Sequence, residues 1–331
     1  MDKKLAVIIL NWNGENLLKQ FLPTAVKYTV SAETDLFVAD NGSSDGSVEW
    51  IEENYPQVKI IKFDQNYGFA EGYNRAILQT HYPFTVLLNS DVEVTPSWWK
   101  PLLAFLEKNP DVGAVQPKIK SFQHRDHFEY AGAAGGMLDK YGYPYCRGRL
   151  FDRIEEDNGQ YDGPPVDVCW ASGAALAVNT SLYLELGGLD PRFFAHMEEI
   201  DLCCRMLVAG YRVCALSDTE VYHVGGASLH QGNPQKTYLN FRNNLLLLFK
   251  NLPEKTRKRK LILRRLMDSM AFFMYLAKLD FANASAILRA HKDFRKMKSF
   301  YPESHNVPSG FVFPGSHRNI VKDRYLLNKK I

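Results

Sequence analysis

Short apolar runs alternate with segments of helical period along the first 120 residues. Runs of this length are typical of buried strands, and we predict strands over residues 5–10, 35–39, 59–63, 86–94 and 112–119. Between them, helices are predicted over about 15–28, 47–54, 66–80 and 96–109. This alternation predicts an α/β fold in which a mostly parallel sheet is covered by helices on both faces.

The pattern loosens in the second half of the chain. Residues 121–165 are rich in Gly, Tyr and charged residues and lack a helical period, which predicts hairpins and loops. Strands are then predicted over 166–178 and 213–221, a short helix over 181–186, and longer helices over 238–250 and 258–294. We therefore divide the chain into a main domain (1–250), a basic, amphipathic helical extension (251–300) and a Pro- and Gly-containing tail (301–331).

Two acidic residues stand where predicted strands end. Asp40 follows the second apolar run, and Asp91 closes the Asn89-Ser90-Asp91 triplet within the run 86–94. In an open α/β sheet, ligands bind in the crevice at the carboxyl ends of the strands, so we expect both carboxylates at one site. Either residue alone is also explained as a turn or helix-capping residue.

The segment NYGFAEGYN, from Asn66 to Asn74, lies between the third strand and its helix. It is not a P-loop, because it lacks G-K-[ST], and it is not a G-x-G-x-x-G dinucleotide motif. Gly68 and Gly72 permit a close backbone approach, and the two asparagines can hydrogen-bond a ligand or neighbouring loops. A tight strand-to-helix turn is the alternative interpretation.

A third polar cluster lies in the segment FFAHMEEIDL, residues 193–202. Glu199 falls in the first turn of a predicted helix, where the macrodipole favours an ionised carboxylate that can act as a general base. Asp201 is placed to pair with Arg205 four residues on. His223, at the end of the last strand, is a candidate metal ligand, although a strand-end histidine and a first-turn acid also have purely structural explanations.

Composition limits the class of protein. With 46% hydrophobic and 23% charged residues, the 331-residue chain is typical of a soluble globular protein. Its five cysteines are odd in number and lack C-x-x-C spacing, which predicts buried, reduced thiols in a cytoplasmic protein. The apolar run after Lys3 and Lys4 is too short for a signal peptide.

Positive charge is concentrated between Lys250 and Arg265, ahead of an apolar stretch over 270–277. That stretch is too short to span a bilayer, which requires roughly 20 residues. A basic amphipathic helix suits an anionic membrane surface, and a solvated helical face packed on the main domain explains the pattern equally well. No nucleic-acid-binding motif accompanies the charge, so we do not expect a nucleic-acid partner.

Seven segments of the chain resemble the motifs of one enzyme family. In order and spacing they are similar to those of family 2 glycosyltransferases with the GT-A fold, especially bacterial rhamnosyltransferase-like enzymes of surface-polysaccharide biosynthesis: NWNG, DNGSSDGS, NYGFAEGYN, LLNSD, SGAAL, FFAHMEEIDLCCR and VYHVGGAS. The resemblance covers about residues 4–250. It implies a Rossmann-like GT-A sheet with a C-terminal helical extension, and inverting, metal-dependent transfer of a sugar from a nucleotide-sugar donor to a glycan or lipid-linked glycan.

The resemblance also assigns roles to individual positions. Glu199 corresponds to the catalytic base, and Asp91 and His223 correspond to ligands of Mg²⁺ or Mn²⁺. The donor nucleotide is expected to contact Asn11, Asp40, Asn66, Gly68, Asn74 and Ser90, and the acceptor side is expected to include Ser172, Gly173, Glu198 and Asp201. Two positions depart from the family pattern: Asn89 replaces the first acid of D-x-D, and Glu199 stands where Asp is usual. The second departure leaves Glu198 and Asp201 as alternative bases.

Two other functions use the same features. A non-catalytic GT-A module that binds glycan or protein would show no turnover and no metal-dependent nucleotide binding. A nucleotidyltransferase would need a Gly- and Lys-rich N-terminal phosphate loop, which the sequence lacks. For the transferase we expect a cytoplasmic location, either free or on the inner face of the cell membrane, and a homodimer is compatible with the sequence.

Overall fold

Strands and helices alternate through the first 120 residues, as predicted. The computed structural model describes residues 3–225, 232–301, 307–325 and 327. Its strands are β1 (Leu5–Asn11), β2 (Thr34–Asp40), β3 (Lys59–Lys62), β4 (Phe84–Leu88), β5 (Val92–Val94), β6 (Val112–Ser121), β7 (Gly136–Leu138), β8 (Pro144–Cys146), β9 (Arg149–Leu150), β10 (Arg153–Ile154), β11 (Val166–Asp167), β12 (Ala175–Asn179) and β13 (Arg212–His223). Its α-helices are α1 (Glu15–Thr29), α2 (Ser47–Asn54), α3 (Gly68–Leu78), α4 (Trp99–Lys108), α5 (Thr180–Glu185), α6 (Glu198–Val208), α7 (Pro234–Asn251), α8 (Glu254–Ala277), α9 (Phe281–Met297) and α10 (Ile320–Tyr325).

The central sheet has nine strands in the order β11-β13-β6-β12-β4-β1-β2-β3, with β5 paired to β13. Strands β1 to β4 are parallel to one another, and β6 and β13 run in the same direction. Only β5, β11 and β12 run against them. The mostly parallel sheet predicted from the sequence is therefore confirmed, and the carboxyl ends of β1, β2, β4 and β13 meet at one edge.

Helices cover both faces of this sheet because its inner strands are apolar on both sides. In β1, Ala6 and Ile8 pack into one core with α3, α5, α6 and α7. Leu5, Val7 and Ile9 pack into the opposite core with α1, α2 and α4. A strand whose successive side chains enter two cores gives the continuous apolar run seen in the sequence.

The predicted fourth strand, over 86–94, ends at the Asn89-Ser90-Asp91 triplet, where its apolar residues were expected to stop, and residues 92–94 form a separate strand. The chain leaves β4 at Asn89, whose N–H donates to Ala174 O, and Asp91 O then accepts from Val224 N. Strand β5 therefore pairs with β13 instead of extending β4. The Asn-Ser-Asp triplet carries the chain from β4, which pairs with β1 and β12, to β5, which pairs with β13. A hydrophobic pattern does not show this change of partner.

Two other predicted elements are divided. The run 166–178 forms β11 and β12, separated by a turn in which Ser172 N donates to Gln116 Oε1 at 2.8 Å. The predicted helix over 258–294 breaks between α8 and α9, where Leu279 has a φ of 58° and Asp280 caps α9 through Asn283 N. A long apolar pattern does not reveal such a break, because the residues before and after the break are both apolar.

The remaining predictions concern the loosely patterned regions. The expected hairpins in 121–165 are confirmed as a second, four-stranded antiparallel sheet with the order β10-β9-β8-β7. The tail from 301, predicted to be loop-like, contains the short helix α10 within its described part. All five cysteines are buried free thiols, as expected.

Candidate active site

The Asn89-Ser90-Asp91 turn and the end of β13 form a buried polar cluster. His223 Nε2 lies 3.1 Å from Asp91 Oδ1, and His223 Nδ1 lies 3.4 Å from Glu129 Oε2. Each of these three side chains is 8% or 9% exposed, so their charges interact in a medium of low effective dielectric. The structure thus brings Asp91 and His223 together, as predicted, and adds Glu129 to them.

The two carboxylates control the protonation of His223. Burial disfavours the imidazolium and lowers the pKa of His223, but hydrogen bonds and charges from Asp91 and Glu129 outweigh burial and raise the pKa to about 10. The resulting imidazolium neutralises one of the two buried negative charges. A cation that bound to Asp91 and His223 would replace this proton.

The donor set of the cluster fits a divalent cation that is shared with a ligand. Asp91 offers carboxylate oxygens and His223 an imidazole nitrogen, whereas Asn89 contributes an amide whose Nδ2 lies 3.5 Å from His223 Nε2. Across the described residues, no group of three or more His, Cys, Asp or Glu side chains is arranged as a complete metal site. The other coordination positions would have to come from ligand oxygens and water, as is usual for Mg²⁺ and Mn²⁺ beside phosphates.

Asp40 and Asn11 lie at the carboxyl ends of the paired strands β2 and β1. Asp40 Oδ1 accepts from Asn11 Nδ2 at 3.1 Å, and its Oδ2 accepts from Ser43 N at 3.0 Å. Asn11 Nδ2 also donates to Ser47 Oγ at 2.9 Å. Asn11 Oδ1 is buried and has no hydrogen-bond partner among the described residues. A buried acceptor without a partner is a candidate contact for the N–H group of a ligand.

The Asn66 to Asn74 segment is held mainly by hydrogen bonds to Asn41 and to the Leu189 backbone. Asn66 Oδ1 accepts from Asn41 Nδ2 and from Gly68 N. Gly68 has a φ of 78°, which serves a left-handed turn, and the space that a Cβ would occupy is open. Asn74 Nδ2 donates to Leu189 O, and Asn74 Oδ1 accepts from Leu189 N. Both polar groups of Asn74 are thus occupied within the protein, so Asn74 is not among the residues available to contact a nucleotide.

Glu199 lies beside the turn that separates β11 from β12. A Cβ placed on Gly173 would be 3.8 Å from Glu199 Cβ and Cγ, and the next residue, Ala174, accepts the hydrogen bond from Asn89. Glu199 Oε2 is buried without a hydrogen-bond partner in the described part of the chain. The 172–174 turn therefore connects the candidate base to the Asp91 cluster, with the Cβ position of Gly173 within van der Waals distance of the Glu199 side chain.

Burial, and not the helix dipole, dominates the protonation of Glu199. The sequence predicted a carboxylate held ionised by the N-terminus of its helix. Instead, burial raises the pKa of Glu199 to about 7, although backbone hydrogen bonds of the first helical turn oppose the shift. Burial and the charge of Glu199 raise the pKa of Glu198 well above its ordinary value. At neutral pH, Glu199 can accept a proton and Glu198 already carries one.

The backbone that leads into Glu199 is strained. Phe194, His196 and Met197 have φ values of 68°, 68° and 73°, a region that non-glycine residues rarely adopt. Each such residue costs on the order of 1–3 kcal/mol and persists only where the surroundings hold it. Strained segments of this kind are concentrated at functional sites, and this one fixes where α6 begins.

Helix α7 holds this strained segment in place. Asn243 Nδ2 lies 2.9 Å from Phe193 O and 2.8 Å from both Ala195 O and His196 O. The neighbouring Arg242 donates from Nη2 to Phe193 O at 2.7 Å and from Nε to Asn243 Oδ1 at 2.9 Å. The side chain of Asn243 therefore positions the backbone that carries Glu199, without reaching the carboxylate itself.

We expect Asn243→Ala to lower kcat by at least about tenfold while the donor KM changes by less than about threefold. The reason is that a shift of about 1 Å in a reacting group is sufficient for losses of this size. Asn244→Ala is the matched control, because Asn244 is equally buried on α7 but donates to Gly142 O, away from the strained segment. Equal losses of kcat in both variants would contradict the positioning role.

Asp201 does not face the acceptor side, contrary to the sequence-based expectation. Its carboxylate is fully buried, 2.9 Å from Arg205 Nε, 2.7 Å from Lys250 Nζ and 2.8 Å from Asn251 Nδ2. Burial alone would raise the pKa of Asp201, but the charges of Arg205 and Lys250 outweigh it and lower the pKa. The predicted pairing with Arg205 is confirmed, and Asp201 ties α6 to α7.

Ser172 and Ser90, which were also predicted to lie at the site, differ in how far they are buried. Ser172 is 2% exposed; its Oγ donates to Ala131 O and accepts from Ala174 N, so it shapes the turn and offers no free hydroxyl to an acceptor. Ser90 is half-buried at the crossing between β4 and β5. Of the segment VYHVGGAS, residues beyond Gly225 lie outside the described residues.

Comparison with known proteins decides the family. The model of the family described as "Glycosyl transferase family 2" matches residues 6–176, which is more than half of the chain. The chain belongs to this family. It is a glycosyltransferase, as its motifs implied, and the match covers the strands that carry Asn11, Asp40 and Asp91.

Individual relatives agree with this assignment. An N-acetylglucosaminyl-diphospho-decaprenol L-rhamnosyltransferase of Mycobacterium tuberculosis is 27% identical over 241 residues, covering 67% of this chain and 76% of the relative. The Staphylococcus aureus TarS fragment 1–349 in complex with UDP-GlcNAc has a TM-score of 0.59 at 17% identity, covering 92% of this chain and 82% of that one. The mannosyltransferase PcManGT of Pyrobaculum calidifontis, in complex with GDP-Man and Mn²⁺, has a TM-score of 0.53 at 14% identity, with coverages of 90% and 84%. These structural likenesses confirm the GT-A fold.

Proposed function

We propose that the enzyme transfers a sugar from a nucleotide-sugar donor to a hydroxyl group of a glycan, with inversion at the anomeric carbon. The observation that carries this proposal is Glu199. Its carboxylate has a pKa of about 7 and a buried oxygen, Oε2, that has no hydrogen-bond partner in the described residues. The 172–174 turn lies between this carboxylate and the turn that carries Asp91 of the Asp91–His223 pair. A single displacement requires one base for the acceptor hydroxyl and a group that stabilises the leaving diphosphate, and the Asp91–His223 pair would supply the second through a bound cation.

On the donor side, the carboxyl ends of β1 and β2 would bind the nucleotide. Asn11 Oδ1, a buried acceptor without a hydrogen-bond partner in the described residues, is the candidate contact for an N–H group of the base, and Asp40 orients Asn11 by accepting from Asn11 Nδ2. Two of the structural relatives were solved with UDP-GlcNAc and GDP-Man, which supports a nucleotide-sugar donor without fixing the base.

Asp91 and His223 would hold Mg²⁺ or Mn²⁺ together with the donor diphosphate. A bound divalent cation supplies Lewis-acid stabilisation of the charge that develops on the departing diphosphate. The imidazole ligand favours Mn²⁺ over Mg²⁺, because nitrogen donors suit transition metals better. Glu129 would remain behind His223 and fix the orientation of the ring.

On the acceptor side, Glu199 would remove the proton from the attacking hydroxyl group. As the acceptor oxygen bonds to C1 of the sugar, the bond from C1 to the diphosphate oxygen breaks, and the electron pair leaves with the diphosphate. The proton ends on Glu199 and passes to water after product release. Attack from the face opposite the leaving group inverts the configuration at C1.

The acceptor is best sought among lipid-linked glycans. The mycobacterial relative is named for an acceptor in which N-acetylglucosamine is joined through a diphosphate to a polyprenol. A role in polysaccharide assembly at the cell envelope agrees with this chemistry, and the acceptor hydroxyl would approach Glu199.

A thermal-shift panel tests the donor class first. We expect at least one of UDP-, GDP- or dTDP-linked sugars to raise the melting temperature in the presence of Mn²⁺, and EDTA to remove the shift. The matching nucleoside monophosphates serve as controls that lack the diphosphate. A non-catalytic module would show no metal-dependent shift and no release of nucleoside diphosphate with any donor.

The pH dependence of the rate tests the base. Because the protonated form of Glu199 is inactive, kcat/KM should fall about tenfold per pH unit as the pH drops below about 7. Circular dichroism at each pH controls for unfolding. A kcat/KM that stays constant between pH 8 and pH 5.5 would exclude a base with this pKa.

A further inference from the structure

We propose that the hairpin formed by α8 and α9 binds the surface of a bilayer that contains anionic lipids. The proposal is independent of the transferase activity, since it rests on the exposed side of the two helices. Of the helices in the described ranges, none combines the length and apolarity needed to cross a bilayer. The contact would therefore be with the surface and not through the membrane.

An ordinary surface helix turns its apolar side inward and its charged side to solvent, whereas helix α8 buries charged side chains and exposes apolar ones. Its inward side is held by charges: Arg264 Nε lies 2.8 Å from Asp268 Oδ1, and Asp268 Oδ2 lies 3.0 Å from His291 Nε2 of α9. Arg264 also stacks 3.6 Å from the ring centre of Tyr143. Leu261 still packs against the core, but several large apolar side chains of the helix are left on the outward side.

The outward side carries a continuous apolar strip. Each member lies three or four residues from another along α8, and all are more than half exposed: Ile262, Leu266, Met270, Phe273 and Met274. Leu279 and Phe281 extend the strip around the tip of the hairpin with exposures of 74% and 64%. Seven large apolar side chains within 20 residues of surface indicate an interaction site, since single exposed apolar residues are normal but contiguous ones are not.

Charge identifies the partner. Residues 254–300 contain thirteen Lys and Arg against four Asp and Glu, a net charge of +9, while the whole chain has 40 basic and 37 acidic residues. The rest of the chain therefore has a net charge of −6. Exposed cations flank the apolar strip at Lys255, Lys258, Arg259 and Arg265 on α8 and at Lys278 beyond its end. Two copies joined through this face would bring like charges together, whereas anionic lipid headgroups would neutralise them.

The combination matches the physical requirements for surface binding. Apolar side chains enter the boundary between headgroups and acyl chains, and flanking cations attract the anionic surface. Neither contribution is sufficient alone, because stable attachment generally requires two signals. We therefore expect binding that depends both on the apolar strip and on the lipid charge.

Co-sedimentation of the full chain with vesicles tests the proposal. We expect at least about tenfold stronger binding to phosphatidylcholine vesicles containing 30% phosphatidylglycerol than to phosphatidylcholine alone, with a marked loss at 0.5 M NaCl. The double variant Met270→Ser/Phe273→Ser and the double variant Lys258→Glu/Arg259→Glu should each weaken binding at least about fivefold. All four substituted residues are exposed, so circular dichroism should show unchanged folding.

Matched control variants distinguish binding through the hairpin from non-specific binding to vesicles. Leu78→Ser removes an exposed apolar residue from α3, and Lys100→Glu reverses an exposed charge on α4; neither should alter vesicle binding. The proposal fails if wild-type protein stays in the supernatant with every vesicle, or if the hairpin variants bind as wild type does. It also fails if light scattering shows a dimer that Met270→Ser/Phe273→Ser dissociates, because the strip would then be covered by a second copy.

Discussion

Glu199→Gln is expected to lower kcat by about 10²–10⁴-fold while leaving donor affinity nearly unchanged. The amide keeps the shape of the side chain and its place beside Gly173 but cannot accept a proton. The proposed donor site is formed by Asn11, Asp40 and Asp91, none of which the substitution changes. Steady-state rates of nucleoside diphosphate release, together with donor affinity from calorimetry, measure the two effects separately.

Glu198→Gln is the matched control for this substitution. Burial and the neighbouring charge keep Glu198 protonated at neutral pH, so an uncharged amide of the same shape resembles its native state. We expect its kcat to stay within about tenfold of wild type, below the loss for removal of a base. A normal rate in Glu199→Gln combined with a large loss in Glu198→Gln would exchange the roles of the two acids.

Asp91→Asn is expected to abolish the Mn²⁺-dependent part of donor binding, a loss on the order of 10²-fold in affinity. Asn is nearly isosteric with Asp and can still contact His223, so the turn between β4 and β5 should keep its shape. The change removes the one carboxylate that the Asn89-Ser90-Asp91 turn offers, because Asn89 stands where a further acid is usual. Isothermal calorimetry with and without Mn²⁺ measures the metal-dependent contribution directly.

Asp111→Asn provides the control for loss of one negative charge. Asp111 pairs with Arg212 before β6, at the opposite end of the strands from the site, and is largely exposed. Its substitution should leave metal-dependent binding intact. Donor binding by wild-type protein that is unaffected by EDTA would show that the Asp91–His223 pair has no role in binding a cation.

The parts of the site that could be predicted from sequence lie where local patterns end. Asp40, Asp91 and His223 each follow an apolar strand, and parallel strands bring their carboxyl ends to one edge regardless of loop details. The family resemblance then gave these positions roles. Secondary structure over 5–62 was equally accessible, since strand and helix periods are distinct there.

The supporting residues could not be predicted because their partners are distant in sequence. Glu129 comes from the loosely patterned 121–165 region and meets His223 more than 90 residues later. Asn243 is one of several polar residues in a helix, and only the folded chain shows that it faces three carbonyl groups near residue 195. In neither case does the local sequence carry a signal, because the contact depends on tertiary packing.

Burial also reversed two expectations drawn from local rules. A first-turn carboxylate is ordinarily held ionised by its helix, yet the site around Glu199 is dry enough for desolvation to exceed that effect. The amphipathic pattern of α8 ordinarily places apolar residues inward, yet the buried Arg264–Asp268 pair occupies the inward side. Both reversals arise from neighbours that the sequence does not identify.

The most direct test of the proposed activity is release of nucleoside diphosphate from the donor selected by the thermal-shift panel. The assay contains Mn²⁺ and a short-chain prenyl-diphosphate-linked N-acetylglucosamine as acceptor, and proton NMR gives the anomeric configuration of the product. We predict acceptor-dependent release that EDTA abolishes and that Glu199→Gln lowers at least about 100-fold, with inverted configuration in the product. Release that is insensitive to EDTA and to Glu199→Gln, or a product of retained configuration, would contradict the proposed mechanism.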